Sequence, residues 1–529
     1  SGATLGGNTT FTYTINDNDV NGATGPGGVR DSANYVFWLK SDVGVLTDSI
    51  SLTAAVNGEA VQRWEDQSNN GRNAFEIDGQ EPLFANNFGD NINGRPVIDF
   101  SGDDYVLTMK DDAAVNTSNF TEKFIAVAFR TGNDITNWQT VYEQGGGTNG
   151  FSIMIENDSV FVGAWSESTG WTYQYLAGKI NTGQNCVVVL EFSSLDGELR
   201  GWLNGASLGT VSSIPDVMNA HSGDVGIGGT LEGTNFNGRT NNGNYFTGKV
   251  MEVLSLNGVM SNTERQILEN YLGARFLAPL GSQDYFGHES THSYGVSGIG
   301  RVSANDFKNS TNIGDLVSIG NASSLDIDDF MIIGHDNGLV DDYVSTESPS
   351  VDLERLSREW RVGINGDPGT ITLTFDPTEL PASAFPSFGF DELVLLVDTD
   401  GDFTTGTAAY PMTQNGDVYE ATEVPLGEGD YFTIGAFRPR VAFAEAASNS
   451  PESAGSVDIT VQLNFPIGND FTVTATQTGG TATEGDDYTF TGYGDHCGPH
   501  YFPNGNRELA GRLWGRTGRN GDLDPLWPL

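Results

Sequence analysis

At 529 residues the chain is too long for one hydrophobic core, and roughly 150 residues per domain points to three or four domains. Its 70 Asp and Glu against 25 Lys and Arg give a formal net charge of -45, which repels nucleic acid and anionic membrane surfaces and favours cations. Two cysteines cannot build a disulfide framework, and no run approaches the 18 or so apolar residues of a membrane span. With 69 Gly and abundant Thr, Asn and Asp, the composition matches short strands joined by tight turns, so an all-β, multidomain protein is expected.

In chain order, the opening Ser-Gly lacks both the charged and the apolar region of an export signal, so an exported chain is expected to be a processed or excised piece. TTFTYTINDNDV (residues 9 to 20) reads as a strand ending in an acidic turn, and residues 21–27 read as a linker. From 28 to 276 short alternating or wholly apolar runs follow one another: FWLKSDVGV, VQRWEDQSNNGRNA, NGRPVIDFSGDDYVL, FIAVAFR, CVVVLEF and LRGWLNGASLG. Asn, Gly and Asp turns separate them, the spacing of a sandwich. Trp38, Trp64 and Trp202 fall inside these runs as expected core, and Cys186 reads as a small core hydrophobe. One helix is expected from Ser261, where Ser261 and Glu264 make a capping box and Ile267, Leu268, Tyr271 and Leu272 share an apolar face. It is expected to close this domain.

Residues 277–440 again alternate strands and turns: FMIIGHDNG, ERLSREWRV, TITLTFDP, ELVLLVDTDGDF and GDYFTIGAF. Residues 441–492 carry PESAG, VDITVQL and GGTATEGDDYTF. From Tyr493 to Leu529 the composition turns to His, Cys, Asn, Pro and Arg. His, Asp, Asn and Tyr codons share a central A and a final pyrimidine, so a one-base shift converts them to Ile, Thr or Met. The shifted tail reads as alternating β-formers, and residues 493–529 are therefore expected to be a frameshift product. The alternative is a genuine basic, aromatic terminus that folds separately. His496, Cys497 and His500 lack the spacing of a closed four-ligand zinc site.

FWLKSDVGV, WEDQSNNGRNA, NGRPVIDF and GKVMEVLSLNGVMSNTERQILENYLGARF together resemble LamG-like, concanavalin A-like jelly-roll domains. IGHDNG and RLSREWRV resemble a β-sandwich accessory domain of exported Bacteroidetes surface proteins. PESAG, VDITVQL and GGTATEGDDY resemble the first half of a Calx-beta domain, and residues 1–20 resemble the last strand of another. These resemblances imply a jelly-roll sandwich and a second β-sandwich flanked by partial Calx-beta sandwiches, cut from a longer array. They also imply Ca2+ as cofactor, with Glu452, Asp486, Asp487, Asp17 and Asp19 at positions resembling calcium ligands.

By spacing alone, Asp398, Asp400 and Asp402 alternate around Gly401 as a loop does that aims carboxylates at one hard cation, the alternative being a solvated Asp-Gly turn. GAWSESTGWTYQY offers Trp165, Trp171, Tyr173 and Tyr175 for stacking on sugar rings, with TNFNGRTNNGNYF supplying polar groups; packing inside the sandwich is the alternative. FEIDGQEP holds Glu76, Asp78 and Glu81 in the pattern of jelly-roll glycosidases, but Gly79, Gln80 and Pro82 place it in a turn. The preferred expectation is a non-catalytic, calcium-dependent adhesion or glycan-binding protein, secreted or displayed on a bacterial cell surface. Its partner would be a glycan or cell-surface ligand. Two alternatives are a glycoside hydrolase using Glu76 and Glu81, and a filament subunit whose residues 9 to 15 complete the half-sandwich of the next copy head to tail.

Overall fold

The computed structural model describes residues 24–48, 50, 52–311, 316–341, 343–380, 393–437 and 441–449, and the strand backbones Ser456–Leu463, Tyr488–Thr491 and Glu508–Gly515. The described chain is all-β with antiparallel strand pairings and one α-helix. Its contacts divide it into two compact units. One holds the chain to Gly320 together with Leu325–Gly334 and Ile364–Pro368, and the other holds the remainder.

The first unit is a sandwich. Its inner sheet runs Ala206–Ser212, Glu198–Leu203, Asn185–Ser193, Glu122–Arg130, Lys249–Leu256, Val97–Asp99 and Leu83–Ala85, and Phe37–Lys40 also pairs with Lys249–Leu256. The outer sheet begins Trp171–Lys179, Ser159–Ser166, Asn149–Glu156, Gln139–Gly145 and Val225–Ile227. It continues through Leu107–Met109, Ala74–Glu76, Arg63–Trp64, Val45–Asp48 and Thr53–Ala54.

The apolar runs explain the layering. In Glu122–Arg130, Ile125, Val127 and Phe129 face the core between the sheets, while the alternate Phe124, Ala126 and Ala128 face a second cluster. Asn185–Ser193 does the same: Cys186, Val188, Leu190 and Phe192 point one way, Val187 and Val189 the other. A strand buried on both faces has no polar alternation, which is why FIAVAFR and CVVVLEF read as continuous apolar runs. The second cluster is completed by the helix Asn262–Phe276. Ser261 caps it as expected, its hydroxyl accepting from Glu264 N at 3.2 Å while the Glu264 carboxylate accepts from Ser261 N at 3.0 Å.

The helix is buried nearly all round rather than on the one face expected of it. Phe286, Val296, Phe330 and Ile332, all beyond residue 276, join Ile267, Leu268, Tyr271 and Leu272 in the same cluster. Trp38, Trp64 and Trp202 are buried, as their place in the apolar runs implies.

In the second unit Tyr431–Phe437 pairs with Leu353–Leu356, Trp360–Asn365 and Leu393–Asp398, and the last of these carries Ala408–Pro411. The Trp360 ring stacks on Phe432 at 5.6 Å. Val418–Pro425 lies between Thr370–Phe375 and Thr413–Asn415. A further sheet takes Val441–Phe443, Ser456–Leu463, Glu508–Gly515 and Tyr488–Thr491 in that order. Glu508–Gly515 belongs to the anomalous tail and is antiparallel to both its neighbours; the rest of 493–529 lies outside the described residues.

Candidate functional site

The outer sheet has a second face, turned away from the sandwich core. Phe151, Ile153, Val160 and Val162 point into the core, so their alternates Ser152, Met154, Phe161 and Gly163 point away from it. Residues 228–246 pass over this face. Asn237 and Gly238 both take left-handed φ, 53° and 83°, and close a tight turn in which Phe236 and Arg239 exchange backbone hydrogen bonds at 2.9 and 3.0 Å. The turn carries Phe236 down onto the sheet.

Phe236 is the hub of an aromatic cluster. It is wholly buried, and its ring meets Tyr175 at 5.0 Å and Phe161 at 5.2 Å edge to face, and Trp138 at 5.4 Å. The Arg239 guanidinium lies 4.5 Å from the Trp138 ring and 4.8 Å from Phe236, and is held there by both carboxylate oxygens of Glu156 at 2.7 and 2.8 Å. Tyr175 crosses Gly163, where a Cβ would come within 2.4 Å of its ring. That bare backbone lets the Tyr175 hydroxyl reach Ser152 Oγ at 2.9 Å and donate to Asn235 O at 3.1 Å.

The four aromatic residues proposed for sugar contact therefore have different fates. Trp165 is fully buried and donates from Nε1 to Gly146 O at 2.8 Å. Tyr175 is tied down through its hydroxyl, and Trp171 is half-buried against the sandwich core. Tyr173, partly exposed like Trp171 and Tyr175, has its ring beside the turn at Gly238. Trp138 and Phe161, half-exposed, and Arg239 join it, with Asn237 and Asn241 exposed on the covering segment. Trp138 and Phe161 went unmarked in the sequence, and Arg239 was passed over, whereas Asn237 and Asn241 lie in the stretch expected to supply polar groups. The signal for this cluster was the Phe and Arg on either side of Asn237–Gly238, visible only once that loop is laid on the sheet.

A row of cross-strand partners continues along this face: Thr108, Gly226, Glu143, Ser152, Gly163 and Tyr175. Glu143 is fully buried, and neither carboxylate oxygen has a hydrogen-bond partner among the described residues. Burial, with the Glu232 carboxylate nearby, raises its proton affinity far above that of an ordinary glutamate.

The Asp398, Asp400 and Asp402 loop is held mainly by its own backbone. Asp398 Oδ1 accepts from the N–H groups of Asp400 and Gly401 at 2.9 and 3.2 Å, and its Oδ2 accepts from the Thr407 hydroxyl at 3.0 Å. Burial opposes ionisation of Asp398, yet these donors hold it below the usual carboxylate range. Asp400 accepts from Asp402 N, and Asp402 accepts from Thr404, whose donors keep it low as well. Each carboxylate thus caps a turn two residues on. Among the described residues no three His, Cys, Asp or Glu side chains are grouped to hold a metal ion. Asp17, Asp19, Glu452, Asp486 and Asp487 lie outside the described residues.

Glu76 ends the strand Ala74–Glu76, and Glu81 accepts from Gly79 N at 3.2 Å across the following turn. Burial, then the charges of Glu81 and Asp78, raise the pKa of Glu76.

A family profile for a domain of unknown function, DUF8202, matches residues 275–430. No curated protein matches the chain. Among solved structures, the binding domain of botulinum neurotoxin serotype D is similar at 11% identity and a TM-score of 0.34, over 76% of this chain and 96% of that one. The CBM40 of Ruminococcus gnavus IT-sialidase, bound to α2,3-sialyllactose, gives 15% identity and 0.24 over 28% and 81%. A SAP-like pentraxin from Limulus polyphemus gives 15% and 0.24 over 32% and 76%.

Proposed function

We propose that the outer-sheet face around residues 228–246 contacts carbohydrate, and that the chain is a non-catalytic glycan-binding or adhesion protein of the cell exterior. The observation that carries this reading is the arrangement about Phe236. A buried aromatic hub positions the half-exposed rings of Trp138, Phe161 and Tyr173 beside exposed Asn237 and Asn241. Aromatic faces stack on the apolar faces of sugar rings, and amide groups satisfy the hydroxyls. The Arg239–Glu156 pair fixes the shelf without leaving an unpaired cation on it. With a net charge of -45 the preferred ligand is a neutral glycan, since sulfated or uronate-rich chains would be repelled.

Calcium belongs to this proposal through the Calx-beta resemblance of the terminal segments, where bridging ions would relieve repulsion between clustered carboxylates. A glycan array probed with the full chain and with Tyr173→Ala tests the reading. Binding concentrated on neutral glycans and lost in the variant supports it. An array without signal, or one dominated by polyanions, rejects it.

A further inference from the structure

Glu143 is unexplained by packing. It is fully buried on the outward face of its sheet, and neither carboxylate oxygen has a hydrogen-bond partner among the described residues. Its cross-strand neighbours supply none: Ser152 gives its hydroxyl to Tyr175, and Gly226 has no side chain. Residues 229–235 roof it over. On one side a Cβ on Gly226 would lie 2.1 Å from Gly229 O, and on the other the Tyr175 hydroxyl donates to Asn235 O at 3.1 Å. The roof is tied to the sheet at its start, where Gly228 N donates to Val141 O at 3.0 Å and the Thr140 and Thr230 hydroxyls meet at 2.8 Å, and at its end by the buried Phe236 ring. Between these ties no backbone N–H of residues 231–235 donates to a backbone carbonyl among the described residues, and the buried Thr234 hydroxyl has no partner there either. A segment held this way opens locally more readily than the strands beneath it.

A carboxyl without a partner is neutral under such a cover, and once hydrated it ionises like an ordinary glutamate. The ionisable groups around it are Tyr142 on its own strand, Tyr175 across the sheet and Glu232 in the roof, none of them a cation that could hold its negative charge. We propose that residues 229–235 are a proton-latched lid, shut while Glu143 is protonated and released as it ionises, and that the shut lid is the form that binds ligand beside Phe236. The latch stands on Glu143 and its cover; its coupling to ligand rests on the glycan reading. The shut lid holds one more proton than the open one from about pH 4.3 upward. Closing is therefore favoured most in acid, and the ratio of shut to open falls about tenfold per pH unit until the buried acid itself ionises.

Hydrogen exchange of the full chain tests the latch, in the natural sequence and in Glu143→Gln, which keeps the shape of the neutral acid and cannot ionise. From about pH 5 to about pH 7, protection across 228–243 relative to intrinsic exchange should fall about a hundredfold in the natural chain and stay level in the variant. The same pH dependence in both chains overturns the latch. If Glu143→Gln does not fold, carbon-13 NMR of the natural chain decides: a neutral Glu143 acid is expected at the higher pH, and a carboxylate there rejects the proposal. A saturating neutral glycan should restore protection across 228–243 at that pH; a bound glycan that leaves those amides unchanged overturns the coupling. A chain that binds no glycan removes the glycan reading, while the exchange result still decides the latch.

Discussion

Trp165 and Tyr173 stand eight positions apart on neighbouring strands of one sheet, yet one is wholly buried and the other half-exposed. Truncating them should separate stability from recognition. Trp165→Ala is expected to cost about 3–5 kcal/mol, as large-to-small changes in packed sites do. Tyr173→Ala should cost under about 1 kcal/mol; chemical denaturation of both variants checks the contrast. Lys123 gives a second prediction at this scale. It is fully buried, donates to Val115 O at 3.1 Å and Asn257 Oδ1 at 2.7 Å, and burial lowers its pKa to about 7.

A lysine depressed in the folded state binds fewer protons there than in the unfolded chain between pH 7 and about 10.4. Its contribution to stability therefore rises with pH through that window and is flat below it. The stability difference between the natural chain and Lys123→Met should move in favour of the natural chain from pH 7 to 10, by at most about 1.4 kcal/mol per pH unit. Parallel pH profiles would show that the ammonium is not desolvated.

At the scale of elements, residues 28–276 were largely legible, because apolar runs, Asn-Gly turns and a capping box are local signals. Ser261→Ala should cost about 1 kcal/mol, read as a lower denaturation midpoint, since the cap satisfies an otherwise orphaned N–H. The candidate site was legible only in pieces. Period-two alternation separates Tyr173 and Tyr175 from Gln174, but it cannot say that Asn235, sixty residues later, will come down on the Tyr175 hydroxyl. Nor can it reveal that Gly163 is bare so that this ring can cross it. Gly163→Val should push Tyr175 off Ser152 and loosen its cover, so amide exchange in 229–240 should quicken while the inner-sheet strand Glu122–Arg130 stays protected.

The helix shows the same limit. Its apolar face was readable, but its near-complete burial depends on Phe330 and Ile332, more than fifty residues on.

For the whole molecule, charge is the dominant fact. A chain at -45 is expected to gain stability from screening, so its thermal midpoint should rise with added salt and rise further at equal ionic strength when calcium replaces sodium. A midpoint indifferent to both would remove calcium from the account. The multidomain β architecture followed from composition and turn chemistry. The Asp398 loop shows what spacing leaves out: its oxygens accept from Asp400, Gly401 and Thr407, contacts that only the folded turn displays.

The most direct measurement is the affinity of the full chain for its best neutral glycan, taken by titration calorimetry for the natural sequence, Trp138→Ala and Tyr173→Ala at matched thermal midpoints. The account predicts that both variants lose roughly ten- to a hundredfold in affinity, about 1.4–2.8 kcal/mol, while remaining folded. Folded variants that bind as tightly as the natural chain would place the ligand elsewhere and contradict it.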